Sequence, residues 1–312
     1  MRAFIFPGQG SQAVGMGVAL AQASRTARDV FDEVDQALGQ NLFRLMREGP
    51  EDELKLTENA QPAIMAHSFA VFRALTRDGG VDLAKAVSFV AGHSLGEYSA
   101  LCAAGAFDLP TTARLLKLRG EAMQRAVPVG QGAMAALLGA DLALAQKIAD
   151  AAAQGEVCTV ANDNDPSQVV ISGHKTAIDR AIKLAKEMGA KRAVPLPVSA
   201  PFHCPLMQPA AEAMEDALSY VVVERPVVPV FANVTAQPES DPDRIRGQLV
   251  EQVTGMVRWR ESIANMADAG GEEFVELGGK VLGSMVKRIA PEAKVTSVVT
   301  IAEIEALAKE IA

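Results

Sequence analysis

Cysteines, aromatic side chains, basic clusters and long apolar runs are all scarce in this chain of 312 residues, and each shortage closes off a class of function. The three cysteines, Cys102, Cys158 and Cys204, are odd in number, widely spaced and free of any CxxC pair, so neither a disulfide framework nor a zinc or other metal site is expected. Aromatics supply 4% of the residues, with Trp259 the one tryptophan, against a hydrophobic share of 49%. That ratio describes an Ala/Val/Leu interior of helices packed on strands, and it does not suit an all-β sandwich. With a formal charge of −8 and no dense Lys/Arg cluster, the chain lacks the basic face that phosphate recognition needs, so no nucleic-acid partner is expected. The opening run MRAFIFPG is far too short for a signal-peptide core or a membrane span, and no later apolar stretch reaches bilayer length. A soluble, cytoplasmic monomer with no membrane contact is the expectation.

What the chain does have is concentrated at GHSLG, residues 92–96, which sets Ser94 between two glycines after the apolar run VSFVA and before the helical run EYSALCAAGAF. This predicts a strand, a sharp turn and a helix with a nucleophile at the apex, because only small flanking residues let the backbone pass so closely. The serine hydroxyl then sits at a helix N-terminus, where the dipole and free N–H groups stabilise the negative charge of an acyl-transfer intermediate.

A serine nucleophile needs a base, and the chain offers His67, His93, His174 and His203. His93 adjoins Ser94 but is expected to leave the opposite side of the turn; His67 lies in the apolar helical run AIMAHSFAVF; His174 ends the strand-like VVISGH. His203 stands in the proline-flanked segment SAPFHCPLM, a rigid loop, and is the favoured base. No acidic partner is identifiable for it, which leaves a backbone carbonyl to orient the ring.

In the helical segment 111–126, positions 112, 115, 116, 119, 122, 123 and 126 share one stripe, and Arg119 is its only charge. A guanidinium on a core-facing stripe requires an anionic or multiple-acceptor partner. A substrate carboxylate and an internal Asp or Glu satisfy that requirement equally well. The loop FPGQGSQ at 6–12 follows the first strand, where open α/β sheets place ligands, and lacks the third glycine of a dinucleotide fingerprint. Its backbone at Gln9, with the N–H of Leu95, is suited to an oxyanion hole.

The pattern before residue 128 and after 200 predicts a mostly parallel α/β layer structure. Between them, GAMAALLG (132–139), a helix at 141–154, VCTVAND (157–163), SQVVISG (167–173), a helix at 176–190 and KRAVPLPV (191–198) form a βαββαβ series of ferredoxin-like order. The expected organisation is a large domain of residues 1–128 and 200–312, with 129–199 inserted as a small subdomain. Strands are also expected at 227–234 and 273–278, and helices near 205–221, 241–254 and 258–269.

Taken together, FPGQGSQ, TENAQPAI (57–64), GHSLGEYSA (92–100), the Arg119 helix, NVTA (233–236), the LVEQ segment ending at Gln252, and APFHCPLM (200–207) resemble the malonyl-CoA:acyl carrier protein transacylases. The resemblance implies an α/β-hydrolase-like core with a ferredoxin-like insertion, and transfer of malonyl from malonyl-CoA to the phosphopantetheine thiol of holo acyl carrier protein. It implies Ser94 as nucleophile, His203 as base, Arg119 as clamp on the malonyl carboxylate, Gln9 and Leu95 as backbone oxyanion hole, and the Gln252 main chain as orienter of the histidine. Phe202 before the histidine and Leu95 after the serine resemble malonyl-selective members. No cofactor of the enzyme's own is implied. A serine thioesterase or esterase, and a non-catalytic docking module for the carrier protein, are the alternatives. Lys280, Lys287, Arg288, Arg114, Lys117 and Arg125 are candidates for docking an acidic carrier.

Overall fold

Phe4 and Phe6 leave one face of the first strand and Ala3 and Ile5 the other, and all four are buried, each pair in its own apolar cluster. A strand covered on both faces belongs in the middle of a parallel sheet with helices on either side. The computed structural model describes residues 1–311. Its strands are β1 (Arg2–Phe6), β2 (Phe89–Gly92), β3 (Gly132–Leu138), β4 (Cys158–Asp165), β5 (Gln168–His174), β6 (Arg192–Pro195), β7 (Val230–Phe231), β8 (Pro238–Glu239), β9 (Glu273–Leu277) and β10 (Lys294–Val298).

The larger sheet runs β10-β9-β1-β2-β7-β8, parallel throughout except for the β7–β8 pair. The carboxyl ends of β1, β2 and β7 therefore open on the same edge, and the loops leaving them carry Gln9, Ser94 and Asn233. Adjacent loops are tied directly: the His93 N–H donates to the Phe6 carbonyl at 3.1 Å.

The smaller sheet runs β4-β5-β3-β6 and is antiparallel throughout. Numbered within the βαββαβ series, that order is 2-3-1-4, the ferredoxin-like arrangement. The helices Leu142–Ala153 and Lys175–Glu187 cover one face with small side chains, Ala145, Ala149, Ala152, Ala177, Ala181 and Ala185. Element bounds fall within a few residues of expectation, with one correction. The strand expected at 227–234 shrinks to Val230–Phe231. Pro229 has no N–H to give a ladder, the Val227 N–H is spent on the Ala104 carbonyl, and Asn233 is turned into the serine elbow.

The two sheets are joined through the end of β4. Val257 N–H donates to Ala161 and receives Asp163 N–H on its own carbonyl, both at 2.9 Å. Arg260 Nε reaches both carboxylate oxygens of Asp163, and Arg288 Nε bonds Asp165 at 2.9 Å. Both aspartates are buried, and burying a carboxylate is tolerable only with such partners.

Candidate active site

Two glycines make the elbow possible. A Cβ on Gly92 would lie 1.9 Å from the carbonyl carbon and oxygen of Gly96, and one on Gly96 would lie 2.3 Å from the Phe6 carbonyl oxygen. With both side chains absent the chain passes at once from β2 into the helix Leu95–Ala103, and Ser94 is held at φ 53°, ψ −112°. Few L-residues adopt that conformation, so neighbouring groups must secure it. Ser94 N–H donates to Asn233 Oδ1 at 2.8 Å, Asn233 Nδ2 donates to the Gly92 carbonyl at 2.7 Å, and Gln252 Nε2 donates to the Ser94 carbonyl at 3.1 Å. Gly92→Ala is expected to destabilise the fold by about 3 kcal/mol or more, since backbone rather than a flexible side chain must move. Denaturant unfolding reads this as a lower midpoint, and an unchanged midpoint contradicts the packing account.

His203 follows β6 by a short irregular segment and takes φ 56°. Its Nε2 lies 2.7 Å from Ser94 Oγ and its Nδ1 lies 2.9 Å from the Gln252 carbonyl oxygen. A carbonyl only accepts, so the ring proton sits on Nδ1 and the bare Nε2 receives the serine hydroxyl. Burial first, and the Arg119 cation second, push the imidazole down to about 3. The ring is therefore neutral at neutral pH, the form a proton acceptor needs. Nitrogen NMR of the His203 ring is expected to show the neutral Nδ1–H tautomer unchanged from about pH 8 to 5. Charging near the ordinary histidine value contradicts this.

The other histidines are engaged elsewhere. His67 Nδ1 donates to the Gly278 carbonyl at 3.0 Å, His174 Nδ1 accepts from Val157 N–H at 2.9 Å, and His93 Nε2 bonds Asn164 Oδ1 at 2.8 Å. That bond ties the elbow to β4, and His93 lines the same cavity as Ser94 and His203 rather than turning away from it.

Arg119 is 1% exposed on the inner stripe of the helix Leu109–Ala126. Nη1 donates to Gln61 Oε1 at 2.8 Å, and Nη2 donates to Gln252 Oε1 at 2.9 Å and to Ser94 Oγ at 3.2 Å. All of these acceptors are neutral, and among the described residues Nε has no partner and no carboxylate pairs directly with the guanidinium. The internal ion pair left open by periodicity is not formed. A buried cation with only neutral acceptors and an unused donor is suited to an incoming anion.

A cavity of about 270 Å³ opens over these groups, with Gln9, Met123, Met134, Val198 and Phe202 among its walls. Met134 comes from the smaller sheet, so both sheets enclose the site. The N–H groups of Gln9 and Leu95 make no hydrogen bond among the described residues. Leu95 is the first residue of its helix, where N–H groups have no intrahelical acceptor. Gln9 follows the carboxyl end of β1 and Leu95 that of its parallel neighbour β2, and both residues border the cavity.

Three contributing residues escaped the sequence reading: Gln61, Asn233 and Glu97. Gln61 is fixed by Nε2 donating to Thr57 Oγ1 at 2.9 Å, one helical turn earlier. Glu97, three residues after Ser94, is buried beneath the elbow. An acid in a first helical turn reads as an ordinary dipole partner, and nothing local marks it as buried. Among the docking candidates, Arg288 is committed to Asp165 and Lys117 to Asn59, while Arg114 and Arg125 remain exposed.

The model of the acyl transferase domain matches residues 3–298. The chain belongs to this family. Over 288 residues it is 46% identical to the malonyl CoA-acyl carrier protein transacylase of Escherichia coli (strain K12), covering 92% of each chain. An acyl-carrier-protein-S-malonyltransferase from Bartonella henselae superposes with a TM-score of 0.97 at 52% identity over 99% of both chains. A malonyl-transacylase solved in complex with its type II PKS acyl-carrier protein gives a TM-score of 0.95 at 40% identity, again over 99% of both. The mostly parallel sheet with a separate antiparallel sheet is thus the architecture this acyl transferase shares with its relatives.

Proposed function

We propose that the protein moves a malonyl group from malonyl-CoA to the phosphopantetheine thiol of holo acyl carrier protein, supplying fatty acid elongation. The observation that carries this reading is Arg119, a buried guanidinium 3.2 Å from Ser94 Oγ with neutral acceptors and an unused N–H. A hydrolase of neutral esters has no need to bury a cation against its nucleophile.

In the first half-reaction Ser94 Oγ attacks the thioester carbonyl as its proton passes to His203 Nε2. The oxyanion accepts from the N–H groups of Gln9 and Leu95. Its collapse breaks the C–S bond, and the proton on His203 passes to the CoA sulfur, leaving malonyl esterified to Ser94. The Gln252 carbonyl holds Nδ1–H and steadies the imidazolium while it exists. In the second half the carrier thiol gives its proton to His203 and its sulfur attacks the ester carbonyl; collapse of the oxyanion breaks the bond to Ser94 Oγ, which takes the proton back from His203 Nε2, and malonyl leaves on the carrier sulfur. Arg119 holds the malonyl carboxylate throughout, and Phe202 and Leu95 narrow the acyl cavity against α-substituted groups. The phosphopantetheine arrives on the carrier, and the enzyme supplies no cofactor of its own. Residues 1–128 with 200–312 form the catalytic domain and 129–199 the smaller ferredoxin-like subdomain, working as a cytoplasmic monomer.

The test is intact-mass measurement after mixing with malonyl-CoA, followed by holo carrier protein. A malonyl adduct that forms and then appears on the carrier is expected. Release to water instead identifies a thioesterase, and no adduct at all identifies a docking module.

A further inference from the structure

A carboxylate with no part in the transfer steps lies directly beneath Ser94. Glu97 is 3% exposed, and its Oε2 accepts from Gln252 Nε2 at 2.7 Å and from Asn233 N–H at 3.0 Å. The other end of the same Gln252 amide, Oε1, accepts from Arg119 Nη2 at 2.9 Å. The amide therefore bridges a buried cation and a buried carboxylate that do not touch.

The two ends constrain Gln252 in the same sense. A guanidinium has only donors and must face Oε1; an ionised carboxylate has only acceptors and must face Nε2. With Glu97 in place one amide orientation satisfies both, and Arg119 is anchored from two directions, by Gln61 and by Gln252. Without an acceptor at 97, Nε2 keeps only the longer contacts to the Ser94 carbonyl at 3.1 Å and Asn233 Oδ1 at 3.3 Å, and the amide loses its reason to present Oε1 to the arginine. Burial raises the Glu97 carboxyl to about 7, against the opposing pull of the Asn233 N–H, the Gln252 amide and the Arg119 charge; both of its contacts are N–H donors to Oε2, which the oxygen accepts whether or not the carboxyl is ionised.

We propose that Glu97 is a positioning residue for acyl selectivity: through Gln252 it holds the Arg119 guanidinium where an acyl carboxylate is received. This rests on the malonyl-transfer reading given above and adds to it a residue that touches neither substrate nor the reacting atoms. Its effect is on discrimination between a carboxylated and a neutral acyl group, since Ser94 and His203 act alike on both.

The experiment compares kcat/KM for malonyl-CoA and acetyl-CoA in the wild type, Glu97→Met and Glu97→Gln. Loss of one charge-assisted hydrogen bond in the anchor is expected to lower the malonyl-to-acetyl ratio at least ~10-fold in Glu97→Met, mainly through KM for malonyl-CoA. Glu97→Gln keeps an acceptor oxygen at the same reach, and its ratio is expected to stay within about threefold of wild type. In a Gln252→Met background the Glu97→Met change is expected to leave the ratio where Gln252→Met alone puts it, because one path carries both effects. An unchanged ratio in Glu97→Met, or equal falls for both acyl groups, overturns the proposal. Should Glu97→Met not fold, Glu97→Asp withdraws the carboxylate by one methylene, and an unchanged ratio there overturns it equally. Failure of the malonyl-transfer reading itself is seen separately, as a wild type that acquires no malonyl adduct.

Discussion

Replacing Ser94 with alanine eliminates the malonyl adduct and lowers transfer to the carrier by about 10⁴-fold or more, the scale on which removal of a covalent nucleophile acts. The expectation follows from the site's economy of parts. One hydroxyl lies within reach of the neutral His203 ring, at 2.7 Å, and the Arg119 guanidinium proposed to receive the acyl carboxylate lies 3.2 Å from the same oxygen. No second nucleophile is placed there, since Cys204, next to His203 in sequence, turns its thiol to the Pro201 carbonyl and burial raises its pKa. Ser94 and His203 act as a unit, so the double Ala variant is expected to be no slower than Ser94→Ala alone. The fold tolerates the change, because φ and ψ at 94 are secured by Asn233 and Gln252 through the backbone, independently of Oγ. Intact mass and a carrier-transfer assay check both points. An adduct that persists in Ser94→Ala refutes the assignment of the nucleophile.

Arg119→Ala is the second large effect, and its signature is selectivity. Truncating one partner of a desolvated charge pair costs about 3–5 kcal/mol, so kcat/KM for malonyl-CoA is expected to fall by roughly 10²–10⁴-fold. Acetyl-CoA makes no such pair, and its kcat/KM is expected to hold or rise, since a neutral group no longer competes with a buried cation for space beside Ser94. Stability moves less than activity. The variant leaves Gln61 Oε1 and Gln252 Oε1 without their donor, at ~1–3 kcal/mol each, while relieving the desolvation of a guanidinium whose Nε has no partner. Parallel loss for malonyl and acetyl groups would falsify the carboxylate clamp. Retained malonyl transfer with no gain for neutral groups would remove it altogether.

Much of the site was legible before any coordinates because its chemistry is written in short local patterns. Gly92 and Gly96 around Ser94 announce an elbow, since the close passage they permit depends on residues four apart in the chain. A single arginine on the apolar stripe of residues 112–126 declares itself buried, because helical periodicity alone decides which face a residue takes. The alternation of the βαββαβ series fixes the smaller sheet in the same way.

Other features depend on residues that the chain brings together from far apart. Whether Arg119 meets an internal carboxylate was undecidable from periodicity. The answer lies in Gln61 and Gln252, 58 and 133 residues away, which arrive first with neutral oxygens. The orienting carbonyl of His203 is 49 residues downstream, and the amide that secures Ser94 N–H is 139 residues downstream. Asn233 reaches the elbow only because β7 lies beside β2 in a parallel sheet, whose adjacent strands end on the same edge. The same closeness ended the expected strand 227–234 early, as Asn233 was drawn into the elbow. Local periodicity by itself determined which residues turn inward and which turn is sharp enough to expose a hydroxyl. Tertiary structure alone decided which polar groups meet there, because hydrogen bonding in a buried site is settled by distances of about 3 Å that no spacing along the chain encodes.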